Sequence, residues 1–206
     1  MNEKNSLGLN KSFLDLNNPF ELFEKWFEEA KKKEINDPNA LALGTASRDG
    51  VPSVRMVLLK GFNKNGFIFY TNLNSQKGKE LKDNPIATMC FHWKSLLRQV
   101  RIVGTLKLVD DKTADDYYNS RAYESRIGAW ASKQSSVLKS RDELLKNLQD
   151  FRKKYNDKDN VPRPDYWSGW NLTPSTIEFW LDGENRIHER LKYFLNKNNN
   201  CLLYTS

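Results

Sequence analysis

Sulfur and histidine are scarce in this 206-residue chain: it has two cysteines, Cys90 and Cys201, and two histidines, His92 and His188. The cysteines show no paired spacing, so neither a disulfide framework nor a cysteine-rich zinc motif is expected. The histidines stand far apart without neighbouring acids, which leaves a catalytic zinc centre short of ligands, and no metal is expected. No apolar run reaches the roughly 18 residues of a membrane span. The start, Met-Asn-Glu-Lys-Asn-Ser, lacks the basic-then-apolar order of a secretory leader. A reducing, cytoplasmic setting is therefore expected. Also missing are a Gly-x-Gly-x-x-Gly run after a strand, a Walker phosphate loop and a nucleophile elbow. Nothing matches a zinc finger, an RNA-binding sheet motif or a basic zipper.

Positive charge is plentiful. The chain carries 33 Lys+Arg against 26 Asp+Glu, a net charge of +7. Such an excess suits nucleic acid, an anionic membrane or phosphorylated small molecules. Much of it falls in runs such as Lys31 to Lys33 and Lys153-Lys154, which read as solvated helix tails. Aromatics make up 12% of the residues, enough for one well-buried domain. That domain is expected over 18–206, after a polar, flexible segment over 1–17.

Asn18 has the chemistry of an N-cap, Pro19 stands at the first helical position and Glu21 can close a capping box. Phe20, Phe23, Phe27 and Ala30 recur at helical spacing, which predicts a helix over 19–34 with an aromatic stripe on the core. Strands are expected over 40–47 and 54–60. The second of these should pair with 66–71 across the turn Asn63-Lys64-Asn65-Gly66. Ser75 caps a short helix that stops before Pro85; strands 86–93 and 97–109 and a helix over 110–120 follow. Residues 121–130 read as irregular and 132–136 as a polar loop. Ser140 and Glu143 open a further helix whose buried stripe would be Leu144, Leu148, Phe151 and Tyr155. Strands are expected over 167–172 and 177–180. A last strand over 186–193 would set Arg186, His188, Arg190 and Lys192 on one face. The sum predicts an α+β chain, mostly antiparallel β, with a barrel and helices packed on its outside.

Two segments place cations where a strand should be buried. Arg55 and Lys60 flank the apolar run from Val54 to Leu59, and four basic side chains share the face of 186–193. Like charges in a row repel unless solvent or an anion meets them. Each segment also has a plain structural reading: a hairpin whose charges reach solvent, and an exposed edge strand. Ser75 and Lys77 at a helix start make either an inexpensive phosphate site or a simple cap. Together, the Arg, Lys, Ser, Thr and Tyr residues at strand ends suit a flat aromatic ligand that carries phosphate.

Several motifs then agree in order along the chain. They are Arg55-Met-Val-Leu-Leu-Lys60, Phe69-Tyr-Thr-Asn72, Arg98-Gln-Val100, Ile127-Gly-Ala-Trp-Ala-Ser-Lys-Gln-Ser-Ser136, Ile177-Glu-Phe-Trp180 and Arg186-x-His188-x-Arg190. From Pro19 to Tyr193 the chain resembles the pyridoxamine (pyridoxine) 5'-phosphate oxidases. The resemblance implies an FMN-binding split barrel that works as a homodimer with FMN at the interface. It implies oxidation of pyridoxamine or pyridoxine 5'-phosphate to pyridoxal 5'-phosphate, with dioxygen reduced to hydrogen peroxide and no nucleic-acid or membrane partner. By motif position, Arg55, Met56, Val57, Leu58, Leu59, Lys60, Tyr70, Thr71, Gln76, Lys77, Gln134 and Ser135 would contact FMN, mainly its phosphate and ribityl chain. Gln99, Trp180 and Arg190 would hold its ring system. Lys60, Tyr117, Arg121 and Ser125 would meet the substrate phosphate. Arg186 and His188 would be the catalytic residues at the pyridine ring and reacting carbon, with His188 either orienting the substrate or shuttling a proton.

The chain departs from the family pattern at three places. Gln76 stands where a basic residue is usual beside Lys77. The first residues lack an Arg–Tyr pair able to close over substrate. The end, Asn-Asn-Asn-Cys-Leu-Leu-Tyr-Thr-Ser, lacks the usual closing Arg-Leu-x-Pro, so a shortened terminus is expected. A non-catalytic split-barrel flavin binder is the alternative reading, and a nucleic-acid binder rests on charge alone. The substrate-phosphate set and Arg186 with His188 favour the oxidase, since a flavin-only binder needs no second phosphate site.

Overall fold

The computed structural model describes residues 4–14, 18–195 and 201–202. The first helix, α1 (Pro19–Lys33), starts as its chemistry requires: the Asn18 side chain accepts from the Phe20 N–H at 3.0 Å and donates to Glu21 at 2.9 Å. Its apolar face buries Leu22, Phe23, Trp26, Phe27 and Ala30. Phe23 is the centre of the core, with ring centroids 4.9–6.0 Å from those of Phe27, Phe62, Phe67, Phe91 and Trp93. Phe20 lies at the margin, half-buried and stacked on Phe67.

The sheet is antiparallel throughout. Its strands are β1 (Ala40–Ala46), β2 (Pro52–Leu58), β3 (Gly61–Asn63), β4 (Gly66–Asn72), β5 (Ile86–Trp93), β6 (Arg98–Leu108), β7 (Trp167–Leu181), β8 (Glu189–Phe194) and β9 (Cys201–Leu202). They lie in the order β2-β1-β5-β6-β7-β4-β3, with β8 and then β9 continuing beside the second half of β7. β2 and β3 sit at opposite ends of that order yet nearly touch in sequence, so the sheet must curl back on itself. The hand-over is at Leu59, whose N–H bonds Asn39 O, and Lys60, whose N–H bonds Ile68 O, both at 2.8 Å. The split barrel opens here. The strand expected over 54–60 therefore ends at Leu58 as β2 and pairs with β1, while the pairing expected with 66–71 is made by the separate β3.

β7 is one strand where two were expected. Pro174 has no N–H to give a ladder, and it stands where the β6–β7 register shifts, between Val103 and Gly104. Gly104 is required there, because a Cβ would lie 2.2 Å from Thr173 O. The bulge carries the proline without ending the strand.

The remaining helices are α2 (Gln76–Asp83), α3 (Asp111–Ser120), α4 (Tyr123–Ala131) and α5 (Arg141–Lys154). Helix α4 replaces the irregular stretch expected over 121–130. Tertiary bonds brace it: Tyr118 Oη donates to Arg126 O at 2.9 Å, and Arg126 Nη2 donates to Lys158 O at 2.6 Å. The stripe of α5 is only half-buried, resting on α4 through Phe151 and Tyr155 against Trp130.

The segment expected to be flexible over 1–17 is packed where it is described. Leu9 and Phe13 are buried in the core, Trp26 Nε1 donates to Ser12 O at 2.7 Å, and Lys4 pairs with Glu189 at 2.7 Å. Two apolar residues in a polar run are enough to anchor it. Among the described residues, no helix is long and apolar enough to cross a membrane, and no cluster of side chains could hold a metal ion.

Candidate functional site

A cleft of about 480 Å³ opens where the barrel splits. One wall is the end of β2 with Lys60, the floor is β4 with Lys77 from α2, and the other wall is the α3–α4 corner with Tyr117, Arg121 and Ser125. Its lining holds three cations, Lys60, Lys77 and Arg121, and no carboxylate. Lys77 is 8% exposed, and its Nζ donates to Thr71 Oγ1 and Gln134 Oε1, both at 3.2 Å. Burial lowers its pKa, neighbouring Arg55 adds to that, and Glu80 opposes it. The guanidinium of Arg121 lies over the Trp167 ring at 4.8 Å, and its Nη1 is buried with no hydrogen-bond partner among the described residues. Burial lowers the Arg121 pKa as well. A buried donor without an acceptor is costly, so these groups are arranged for an anion with several oxygens.

Tyr70 and Tyr117 stack with centroids 3.9 Å apart, and Trp167 stacks behind them, 5.3 Å from Tyr70. Burial, then Tyr117 and two aspartates, raise the Tyr70 pKa, keeping its hydroxyl a neutral donor. Helix α4 begins beside Arg121 without a side-chain cap, so its first N–H groups add positive potential.

A second cleft, of about 420 Å³, lies on β6, β7 and β8 and holds Gln99, Trp180, His188 and Arg190. Gln99, Trp180 and Arg190 form one row across three strands, since Gln99 is in register with Trp180 and Trp180 with Arg190. The His188 ring lies 4.7 Å from that of Trp180. Arg101 and Glu178, an ion pair at 2.9 Å, close one side.

The sequence-predicted residues thus divide between two places. Met56, Val57, Leu58, Lys60, Tyr70, Thr71, Lys77, Tyr117, Arg121, Ser125 and Gln134 line the first cleft. Others stand outside both. Leu59 is 4% exposed and belongs to the core. Gln76 is engaged by Glu80 at 2.8 Å. Ser135 lies in the polar loop at φ 62°. Arg55 donates to Ser53 and Glu80 at 2.5 and 3.2 Å and also to Thr45. Arg186 is exposed and does not share a strand face with His188 and Arg190. Asn185 and Arg186 adopt φ of 56° and 65°, which turns the chain, and β8 begins only at Glu189. Asn72, Ser132 and Trp167 line the first cleft without having been singled out. Ser132 lies inside a motif quoted above; Trp167 had no local signal.

The pyridoxamine 5'-phosphate oxidase family model matches residues 27–155, more than half of the chain. The chain belongs to this family. A second model, the pyridoxine 5'-phosphate oxidase C-terminal dimerisation region, matches residues 167–201, which supply Glu178, Trp180, His188 and Arg190 of the second cleft. The pyridoxine/pyridoxamine 5'-phosphate oxidase of Pelagibacter ubique is 69% identical over 94% of this chain and 93% of its own. That of Allorhizobium ampelinum is 54% identical over 88% and 87%. Among solved structures, PhzG from Burkholderia lata, in complex with tetrahydrophenazine-1-carboxylic acid, superposes with a TM-score of 0.88 at 27% identity, covering 95% of this chain and 96% of its own. A pyridoxamine 5'-phosphate oxidase-related, FMN binding protein from Nostoc punctiforme shares the fold, with a TM-score of 0.72 at 16% identity over 92% and 97% of the two chains.

Proposed function

We propose that the chain oxidises pyridoxamine or pyridoxine 5'-phosphate to pyridoxal 5'-phosphate, as an FMN-dependent homodimer. The alcohol reacts with dioxygen to give the aldehyde and hydrogen peroxide; the amine takes up water as well and releases ammonia. FMN, when bound, would supply the hydride acceptor and the route for electrons to dioxygen. The observation that carries this reading is a cleft with three cations, no carboxylate and an unpartnered buried guanidinium nitrogen. That donor set fits phosphorylated ligands.

Lys77, Thr71 and Gln134 hold the cofactor phosphate, with Arg55 adding charge from behind and Gln76 contributing only through Glu80. Arg121, Lys60, Ser125 and Tyr117 hold the substrate phosphate. The buried Trp167 keeps water from the back of the cleft and so strengthens these bonds. Gln99, Trp180 and Arg190 grip the flavin ring system, and His188 and Arg186 meet the substrate pyridine. These last groups reach the first cleft from the partner subunit of a homodimer, which places FMN at the interface. The protein's share of catalysis is to fix the reacting carbon against the flavin.

The purified protein should be yellow, and in air it should release peroxide on addition of pyridoxamine 5'-phosphate. A yellow protein that releases none would instead be a flavin binder without oxidase activity. A protein that stays colourless after FMN is added would overturn the cofactor assignment.

A further inference from the structure

The chain between β7 and β8 doubles back tightly. A Cβ on Gly183 would lie 1.8 Å from Ile187 O, so only glycine fits there. The Asp182 N–H is tied to Leu97 O at 2.9 Å. The turn brings Asp182 Oδ1 to 2.9 Å from His188 Nδ1, and it points the Gly183 N–H at the same nitrogen, 3.2 Å away. A single ring nitrogen cannot serve both. If Nδ1 carries the proton it donates to Asp182; if it is bare it accepts from Gly183 and faces the carboxylate with its lone pair. The carboxylate contact is shorter and charge-assisted, so it prevails.

We propose that Asp182 is a positioning residue that keeps His188 in its Nδ1–H form, so that Nε2 offers a lone pair to the cleft. Among the described residues no hydrogen bond engages Nε2. The other charged groups of that cleft do not compete for the ring: Arg101 and Glu178 are paired with each other, and Arg190 is a cation without a carboxylate to offer. Resting on the proposed oxidase activity, this has a consequence for turnover. An acceptor at Nε2 matches the hydroxyl of pyridoxine phosphate or the ammonium of pyridoxamine phosphate, each a donor. It mismatches the aldehyde product, which offers only an acceptor. Asp182 thereby favours substrate over product at the reacting carbon.

The test is imidazole ¹⁵N NMR of the FMN-loaded protein, in which His92 and His188 are the two histidines. A His188→Gln sample assigns them. The neutral His188 ring should show a protonated Nδ1 and a bare Nε2, and Asp182→Ala should reverse the two. Asp182→Asn, which keeps the size and removes the charge, should shift the balance in the same direction. In steady-state assays Asp182→Ala should raise KM for pyridoxine 5'-phosphate by about tenfold and lower the inhibition constant of pyridoxal 5'-phosphate severalfold. FMN content and melting temperature should not change. A protonated Nε2 in the unmodified protein, or a tautomer indifferent to both substitutions, would overturn the proposal. Because the NMR reading needs no turnover, it stands apart from any failure of the oxidase assignment.

Discussion

Arg55 and Glu80 are bound to each other, Nη2 to Oε2 at 3.2 Å, so the arginine nearest the expected cofactor phosphate carries its own counter-charge. Glu80 is 8% exposed and also accepts from Ser53 at 2.7 Å, from Gln76 at 2.8 Å and from Thr45. The glutamate holds Arg55 in place, and Gln76 satisfies the glutamate.

Burial alone would raise the Glu80 pKa, but the hydrogen bonds from Thr45, Ser53, Gln76 and Arg55 outweigh it and hold the group at about 2. A pKa below the ordinary 4.5 means the stabilising contribution is complete above that pH and is lost as pH falls toward about 2. Glu80→Gln should therefore unfold at lower urea at pH 7, yet lose less further stability than the parent between pH 4.5 and 2. Parallel acid profiles in urea melts would contradict the assignment. If the network serves the phosphate as proposed, FMN affinity should fall in this variant while riboflavin affinity holds.

Arg121→Ala removes a forked cation and bares the Trp167 face. KM for pyridoxamine 5'-phosphate should rise about ten- to a hundredfold, as expected when a charged hydrogen bond is lost. The visible spectrum of bound FMN should stay the same. A variant that loses FMN instead would move Arg121 into the cofactor set.

Phe23→Ala empties the centre of the aromatic core. Loss of about 3–5 kcal/mol is expected, read as a lowered midpoint in urea. A loss below about 1 kcal/mol would mean that the five neighbouring rings close the gap.

Much of this architecture was legible from side chains near one another in sequence. The Asn18-Pro19-x-Glu21 start and the apolar spacing after it marked α1, because capping and helical periodicity are local. Lys60, Tyr70, Thr71 and Gln134 of the first cleft were likewise marked by motif position, whereas Asn72 and Ser132 of the same motifs were not. What escaped depends on distant partners. The break at Leu59-Lys60 is set by Asn39 and Ile68, while the run itself reads as one strand. Helix α4 is fixed by Tyr118 and by the backbone at Lys158. The alternation at 186–193 overreached because positive φ at Asn185 and Arg186 has no period-two signature. The row Gln99–Trp180–Arg190 is a product of register, which only the folded sheet reveals.

If the second cleft of one subunit completes the first cleft of its partner, FMN retention must depend on association. Dilution in gel filtration with flavin fluorescence should release FMN together with the appearance of monomer. Monomer that retains FMN would place the whole cofactor site within one chain.

The most direct measurement compares kcat/KM for pyridoxamine 5'-phosphate and for pyridoxamine in the FMN-loaded enzyme, following peroxide. With Lys60, Arg121 and Ser125 gathered for an anion, the phosphorylated compound should be preferred by at least about a hundredfold, as two or more charge-assisted bonds require. Equal efficiency for the two compounds would contradict the phosphate-binding role of the cleft.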